Sequence, residues 1–474
     1  MFNKTKKHLA IQMLASLEPR KLTELSENRA LKTFHRAAAK IPAYTEFLTQ
    51  NRTSPSSVRS IDDFKSLVPL TDKEKTFKMH TPAIEKLCLQ GQLKDVQAIV
   101  SSSGYTGYFS YGLNTAKEIK KSQEAIDFVL DYVFEVRSKS TLLVNGLPMG
   151  VKIHSSLVTV VDTSVRADII IGIIKTFARC FDQVILVGEN SFVKKVLEDG
   201  LEAGVNWKKT KMNLVLGEEI LPENLRTYFA DILGINPDDA SAPGIIGSSF
   251  GVAEIGLNVF YETRELIRIR RLMLRDKKLR EKLIGHDTEN LPALFHYNPI
   301  RVFVEEVPND RKLSDMVLTN LEEDTNIPLV RYNIKDEGIT ISFNHLKEAL
   351  FALGYSDYTP RIRLPLVAIW GRNKLLVDEG FYLRPEFIKE LLYQDKTIAC
   401  GITGNFRISK SKAGLRIEIQ TKENHSGLDE DLENRIRILL LDHIPAKAEI
   451  IVYPYRDFPY GMELNYEKKF RYIE

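Results

Sequence analysis

The sequence predicts an α/β fold, with a large N-terminal domain of mainly parallel sheets and flanking helices followed by a small C-terminal α+β domain. Three observations predict it. From about residue 95, short runs rich in Val, Ile and Leu alternate with segments of helical length and spacing, the pattern of βαβ units. From about residue 296 the pattern turns to strands alone. Past a hinge-like segment, AIWGRNK at 368–374, a compact tail mixes strands and helices. The expected domains are therefore 1–371 and 372–474.

The elements follow in order. Residues 6–50 carry helical spacing, and TSPSSVRSIDDF then gives a turn and a helix start at Asp62–Asp63. Strands are expected at VQAIVSS, STLLVNG, QVILVG, MNLVLG and PGIIGSSF. Between them, helices are expected at AKEIKKSQEAIDFVLDYVFEV, ADIIIGIIKTFARCF, FVKKVLEDGLEAG and LPENLRTYFADIL. Later strands are RVFVEEV, DMVLTNL, PLVRYNI and GITISF. A parallel sheet of this kind binds ligands in the loops at the carboxyl ends of its strands. The segment 262–282, ETRELIRIRRLMLRDKKLREK, holds nine Lys/Arg against four Glu/Asp. It reads either as a salt-bridged helix or as a docking surface for an acidic partner.

Composition narrows the class. The net charge of +3, from 66 basic and 63 acidic residues, gives no electrostatic case for nucleic acid. Cys88, Cys180 and Cys400 are far apart, which disfavours a disulfide scaffold or zinc site and fits a reducing, cytoplasmic setting. No apolar run reaches the roughly 18 residues of a membrane span. The basic start, MFNKTKKHLAIQMLASLEP, reads as an N-terminal helix rather than a signal peptide. No GxGxxG follows a strand, so a dinucleotide-dependent dehydrogenase is disfavoured.

The stretch SSSGYTGYFS at 101–110 has the small residues and hydroxyls of a phosphate loop. It contains no cation, however, and is not a Walker A sequence. Taken with LVLGEEIL (214–221), GSSFGVAEIG (247–256), IPLVRYNIKDEG (327–338), WGRNKLLVDEGFYLRPEFI (370–388) and YEKKFRYI (466–473), it resembles the adenylate-forming acyl-activating superfamily, in its phenylacetate-CoA ligase-like branch. The segments IPAYTEFL and SIDDFKSLVPLTDKEKTF also look like the opening of that branch, so the likeness spans nearly the whole chain.

The resemblance implies an ATP-dependent ligase that joins a carboxylic acid, aryl or acyl, to AMP with release of pyrophosphate. It then implies transfer to a thiol, that of CoA or of an acyl carrier protein. ATP and Mg²⁺ are the implied cofactors, and the C-terminal domain is implied to be a mobile lid. In the family's loop, S-S-G-T-T-G-K, the matching residues are Ser102, Ser103, Gly104, Thr106 and Gly107, with Tyr108 at the lysine position. Gly217 and Glu218 correspond to the adenine-side loop, Phe250 to the aromatic on adenine, and Glu254 to the magnesium-holding catalytic carboxylate. Asp336 matches the ribose aspartate, Arg372 the hinge arginine reaching ribose or phosphate, and Lys468, with Arg471, the late catalytic lysine. Gly380 matches a glycine on the thiol's path. The acid pocket is expected near VNGLPMGVKIH, with Asn145, Met149 and His154 as lining candidates.

Three departures stand out. Tyr108 replaces the loop lysine, Ala253 a hydroxyl residue, and Asn373–Lys374 the usual hinge aspartate region. They motivate an alternative, a degenerate homologue that binds a nucleotide or acyl-adenylate without turnover as a sensor or scaffold.

Overall fold

A computed structural model describes residues 18–93, 95–102, 107–148, 150–285, 290–309, 313–378, 381–411, 414–423, 429–460, 466–467 and 469–474. Its centre is a twelve-stranded sheet that is parallel on one side and antiparallel on the other. Thr159–Asp162, Thr141–Asn145, Gln183–Glu189, Met212–Gly217 and Ile246–Val252 run parallel, in that spatial order. Gly256–Tyr261, Ala293–Tyr297, Leu366–Gly371, Tyr332–Ile341, Ser314–Asn320 and Val302–Pro308 extend the sheet antiparallel. The short strand Thr71–Asp72 adds to Tyr332–Ile341 in parallel.

The parallel strands form where βαβ alternation was expected, because both their faces are covered. Leu142, Leu143 and Val144, and likewise Val184, Ile185 and Leu186, are buried without alternation. The helix Ala167–Phe177 packs Ile170, Ile171 and Ile174 inward at 3.6-residue spacing. Packing on this side is tight at Gly200, where an added Cβ would lie 2.3 Å from Cζ2 of Trp207. A side chain there would displace the buried indole.

Two expectations change in detail. VQAIV does become a strand, Val96–Ser101, but it pairs antiparallel with Tyr111–Thr115 in a separate hairpin outside the large sheet. Only nine residues separate the two strands' ends, too few for a crossover to a parallel neighbour. The strand expected from PLVRYNI starts later, at Tyr332.

The chain beyond the large sheet forms a three-stranded sheet, Ile402–Ser411, Gly414–Thr421 and Ala448–Tyr453. Its own apolar core includes Phe406, Ile417, Ile436, Leu440 and Val452. Among the described residues, no helix is long and apolar enough to cross a membrane.

The basic segment forms two helices, Arg264–Arg275 and Lys277–Ile284. Its arginines turn to intramolecular partners, as the salt-bridged reading anticipated. Arg268 donates to the Asp238 carbonyl (3.0 Å) and lies over the Tyr358 ring (4.4 Å). Arg271 pairs with Asp238 (3.1 Å) and Arg275 with the same carboxylate. Arg270 is buried against Glu223 (2.8 Å).

Candidate functional site

The carboxyl ends of the parallel strands open into a cavity of about 500 Å³. Its location follows the general rule for open α/β sheets. One lobe is apolar, walled by Ile126, Leu130, Phe134, Leu143, Val187 and Ile245. The other is polar and carries Ser102, Glu218, Glu254, Asp336, Arg372 and Lys469. Segments more than 350 residues apart in sequence thus line one space, from Ser102 to Lys469.

Ser102 directly follows the first strand of the hairpin, Val96–Ser101. Its Oγ accepts from the Ser110 amide at 3.1 Å and from Lys73 Nζ at 3.0 Å. Glu254 follows the strand Ile246–Val252, and its Oε1 accepts from the Tyr332 hydroxyl at 2.8 Å. Burial and the neighbouring Glu254 raise the Tyr332 pKa, so Tyr332 remains a donor at any ordinary pH.

Asp336 projects from the long strand Tyr332–Ile341 and is 4% exposed. Its Oδ2 has no hydrogen-bond partner among the described residues, although Arg372 Nη2 stands 3.4 Å away. A buried carboxylate oxygen without a donor, at the edge of a cavity, is suited to a hydroxylated ligand.

Phe250 lies beside Phe260 and Phe295, with ring centroids 5.6 Å and 6.3 Å away, and lines the cavity. Gly217 ends a parallel strand, and Glu218 after it has φ of 67°. Burial raises the Glu218 carboxyl's pKa, against the pull of Lys469. Lys469 Nζ donates to the Glu218 backbone oxygen at 2.6 Å.

Other expected residues fall elsewhere. Gly107 is exposed, with φ of 90°, and does not line the cavity. Asn145 is buried away from it and braces a turn, donating to Val151 O (2.7 Å) and Asp162 Oδ1 (2.8 Å). His154 is exposed. The apolar wall near this turn is instead made by Leu147, Val151 and Ile153, so the stretch is at the cavity but through different side chains. Ser103, Gly104, Thr106, Met149, Gly380 and Lys468 lie outside the described residues.

Several contributors had no assigned role in the sequence reading. Lys73 and Tyr332 belong to quoted segments, LTDKEK and RYNI, but polarity alone did not distinguish them. Glu337, next to Asp336, pairs with Lys374 at 2.6 Å and with Arg384. Arg384 also donates to the carbonyls of Trp370 (3.0 Å) and Gly371 (3.1 Å). The unusual Lys374 is therefore an internal counter-ion that, like Arg384, is tied to the central sheet through Glu337. Also in the cavity lining, Lys389 pairs with Glu219 and lies 4.0 Å from the Tyr472 ring centroid. Burial opposes the charge on Lys389, but Glu219 and its neighbouring carboxylates outweigh it and raise its pKa. Among the described residues, no cluster of three His, Cys, Asp or Glu forms a self-contained metal site.

Neither a protein-family model nor a curated protein matches the sequence. Solved structures do match in three dimensions. A 2-hydroxyisobutyryl-CoA ligase in the postadenylation state, in complex with R3-HIB-AMP, aligns with a TM-score of 0.68 at 12% identity. That alignment covers 98% of this chain and 91% of the ligase. The same ligase with 2-HIB-AMP and CoA in the thioesterification state gives 0.58 at 13% identity, over 98% and 91%. Its open conformation with the same ligands gives 0.55 at 13% identity, over 95% and 91%. The chain therefore has the adenylate-forming acyl-CoA ligase fold.

Proposed function

We propose that this protein is an acid–thiol ligase of the phenylacetate-CoA ligase-like kind. An acid's carboxylate oxygen attacks the α-phosphorus of ATP, pyrophosphate leaves, and the resulting acyl-AMP is attacked at its carbonyl by a thiol, releasing AMP. The observation that carries this reading is the shared cavity. Ser102, Gly217, Glu218, Phe250, Glu254, Asp336 and Arg372, drawn from five separate motifs, all line it.

The division of the cavity fits the two reactants. Asp336, with its undonated Oδ2, would accept the ribose hydroxyls, and Phe250 would face the base. The apolar lobe would take the acid's hydrocarbon part, which favours an aryl or aliphatic acid without its own charge, since a buried unpaired charge is costly. Glu254 supplies one carboxylate, which fits Mg²⁺: this ion keeps waters and takes its other ligands from phosphates. When bound there, it would neutralise charge on the phosphates. Arg372 adds positive charge close to Asp336.

The acceptor is CoA or an acyl carrier protein. The engagement of Arg268, Arg271 and Arg275 with internal partners favours CoA, because it leaves these arginines less available to an acidic carrier. Acid-dependent ATP–pyrophosphate exchange, run across aryl, aliphatic and amino acids, tests the first half-reaction. Exchange with apolar acids is expected, and silence with every acid would replace this reading with a non-catalytic nucleotide-binding one.

The two terminal lysines divide the labour in this reading. The family resemblance of the K-x-x-R stretch gives the reacting role to Lys468, while Lys469 donates to Glu218 O. Lys468→Ala should lower exchange by about 100-fold or more, and Lys469→Ala by about tenfold or less. The reverse order would give the reacting role to Lys469.

A further inference from the structure

We propose that Lys73 is the cation that binds the ATP β- and γ-phosphates beside Ser102, supplying from another segment the charge that the 101–110 loop lacks. This rests on the acid-activating reading above.

The phosphate side of the cavity presents a specific problem. Residues 101–110 contain no Lys or Arg, and Tyr108 lines the cavity with an uncharged side chain. A bound triphosphate there needs a counter-charge from the rest of the protein. The other cavity cations are directed elsewhere. Arg372 stands by Asp336 at 3.4 Å, Lys335 by Asp72 at 3.4 Å, and Lys389 by Glu219. Lys469 donates to the Glu218 backbone oxygen at 2.6 Å.

Lys73 differs from all of these. It sits just after the short strand Thr71–Asp72, which is fixed by pairing with Tyr332–Ile341, the strand that carries Asp336. Its ammonium donates 3.0 Å to the neutral Ser102 hydroxyl and makes no ion pair among the described residues. The Tyr108 ring lies 5.3 Å from it and 5.3 Å from Lys78 Nζ. Lys78 is exposed and already paired with Glu74 at 2.6 Å. Lys73, which lines the cavity itself, is thus the cation poised to exchange a hydroxyl for phosphate oxygens.

The tyrosine then has a physical role. A lysine at 108 would compete with Lys73 for the same space by charge repulsion, whereas an aromatic face attracts the ammonium and holds it at the loop. Tyr108 is a positioning residue for Lys73. Partial burial lowers the Lys73 pKa, with Glu254 opposing that and Arg372 adding to it, so Lys73 stands within the field of the proposed metal-binding carboxylate. A partly desolvated lysine binds an anion more strongly than one in open water.

The test compares ligands that do and do not carry the β- and γ-phosphates. Binding of ATP, pyrophosphate and AMP to the full chain is measured by calorimetry, without turnover. Lys73→Met should weaken ATP and pyrophosphate about 10- to 100-fold while leaving AMP within about threefold. Lys73→Arg should keep most of the affinity. The double variant K73M/Y108K should regain at least about tenfold in ATP affinity, since it restores a cation at the loop. Unchanged ATP binding in Lys73→Met, an equal loss of AMP, or no recovery in the double variant would each overturn the proposal. Wild-type protein that binds neither ATP nor AMP would instead overturn the acid-activating reading beneath it.

Discussion

Glu254→Gln is expected to lower acid-dependent ATP–pyrophosphate exchange by about 100- to 1,000-fold, the scale on which one preorganised electrostatic group acts. The substitution keeps the shape of the side chain. It also keeps an acceptor for the Tyr332 hydroxyl, which now bonds Glu254 Oε1 at 2.8 Å. What it removes is a negative charge on the phosphate side of the cavity. That charge has two uses in the proposed reaction: holding Mg²⁺ on the phosphates, and supporting the protonated state of Lys73 against partial burial. Affinity for AMP should change little, because in the proposed reading Asp336 and Phe250 would serve the nucleoside. The informative readout is therefore kcat and the magnesium dependence of exchange, set beside AMP affinity. If the protein only binds a nucleotide, Glu254→Gln will leave ATP binding within about twofold and there will be no exchange to lose.

How far the sequence could go is visible in particular residues. The parallel strands were legible because Leu142–Val144 and Val184–Leu186 are continuous apolar runs, which only a doubly covered sheet requires. Asp336 and Glu254 were legible through motif order, and both reach the cavity. Pairing direction was not. VQAIV has the composition of a parallel strand, and only the short connection to Tyr111–Thr115 makes it half of a hairpin. Asn145 marked the right turn but not the right contact. Its amide is consumed by Val151 O and Asp162, which leaves Leu147, Val151 and Ile153 to shape the wall. Lys73 was hidden for a different reason: a lysine in LTDKEKTFK, beside two others, looks solvent-facing until a strand pairing brings it to Ser102. Charge balance likewise described the segment 262–282 only as basic. Which arginines face inward depends on partners, Glu223 and Asp238, that lie in another part of the chain.

Those inward arginines lead to the largest expected effect on stability. Arg226 is fully buried, and its Nη2 lies 2.9 Å from Glu223 and 3.0 Å from Glu262, both also buried. Its Nη1 donates to the Ile246 carbonyl, and Glu262 Oε2 accepts from the Ser248 amide at 2.8 Å. Arg270 completes the cluster, donating to Glu223 (2.8 Å), Leu221 O (2.7 Å) and Pro292 O (2.8 Å). The cluster thus anchors the start of the strand that leads to Phe250 and Glu254. Arg226→Met should destabilise the protein by about 3–5 kcal/mol near neutral pH, because it strands buried carboxylate charge rather than removing a surface pair. The pH dependence separates this cause from lost packing. Burial already raises the Glu262 pKa, and Arg226 is the first group opposing that rise. Without Arg226 the folded-state pKa climbs further above the unfolded value. A carboxyl shifted in that direction binds more protons in the native state, so stability falls as pH rises and recovers as pH drops. The variant's deficit, measured by denaturant unfolding against wild type, should therefore shrink from pH 8 toward pH 5. A deficit that stays constant over that range would mean that Arg226 acts through packing and its bond to Ile246 alone.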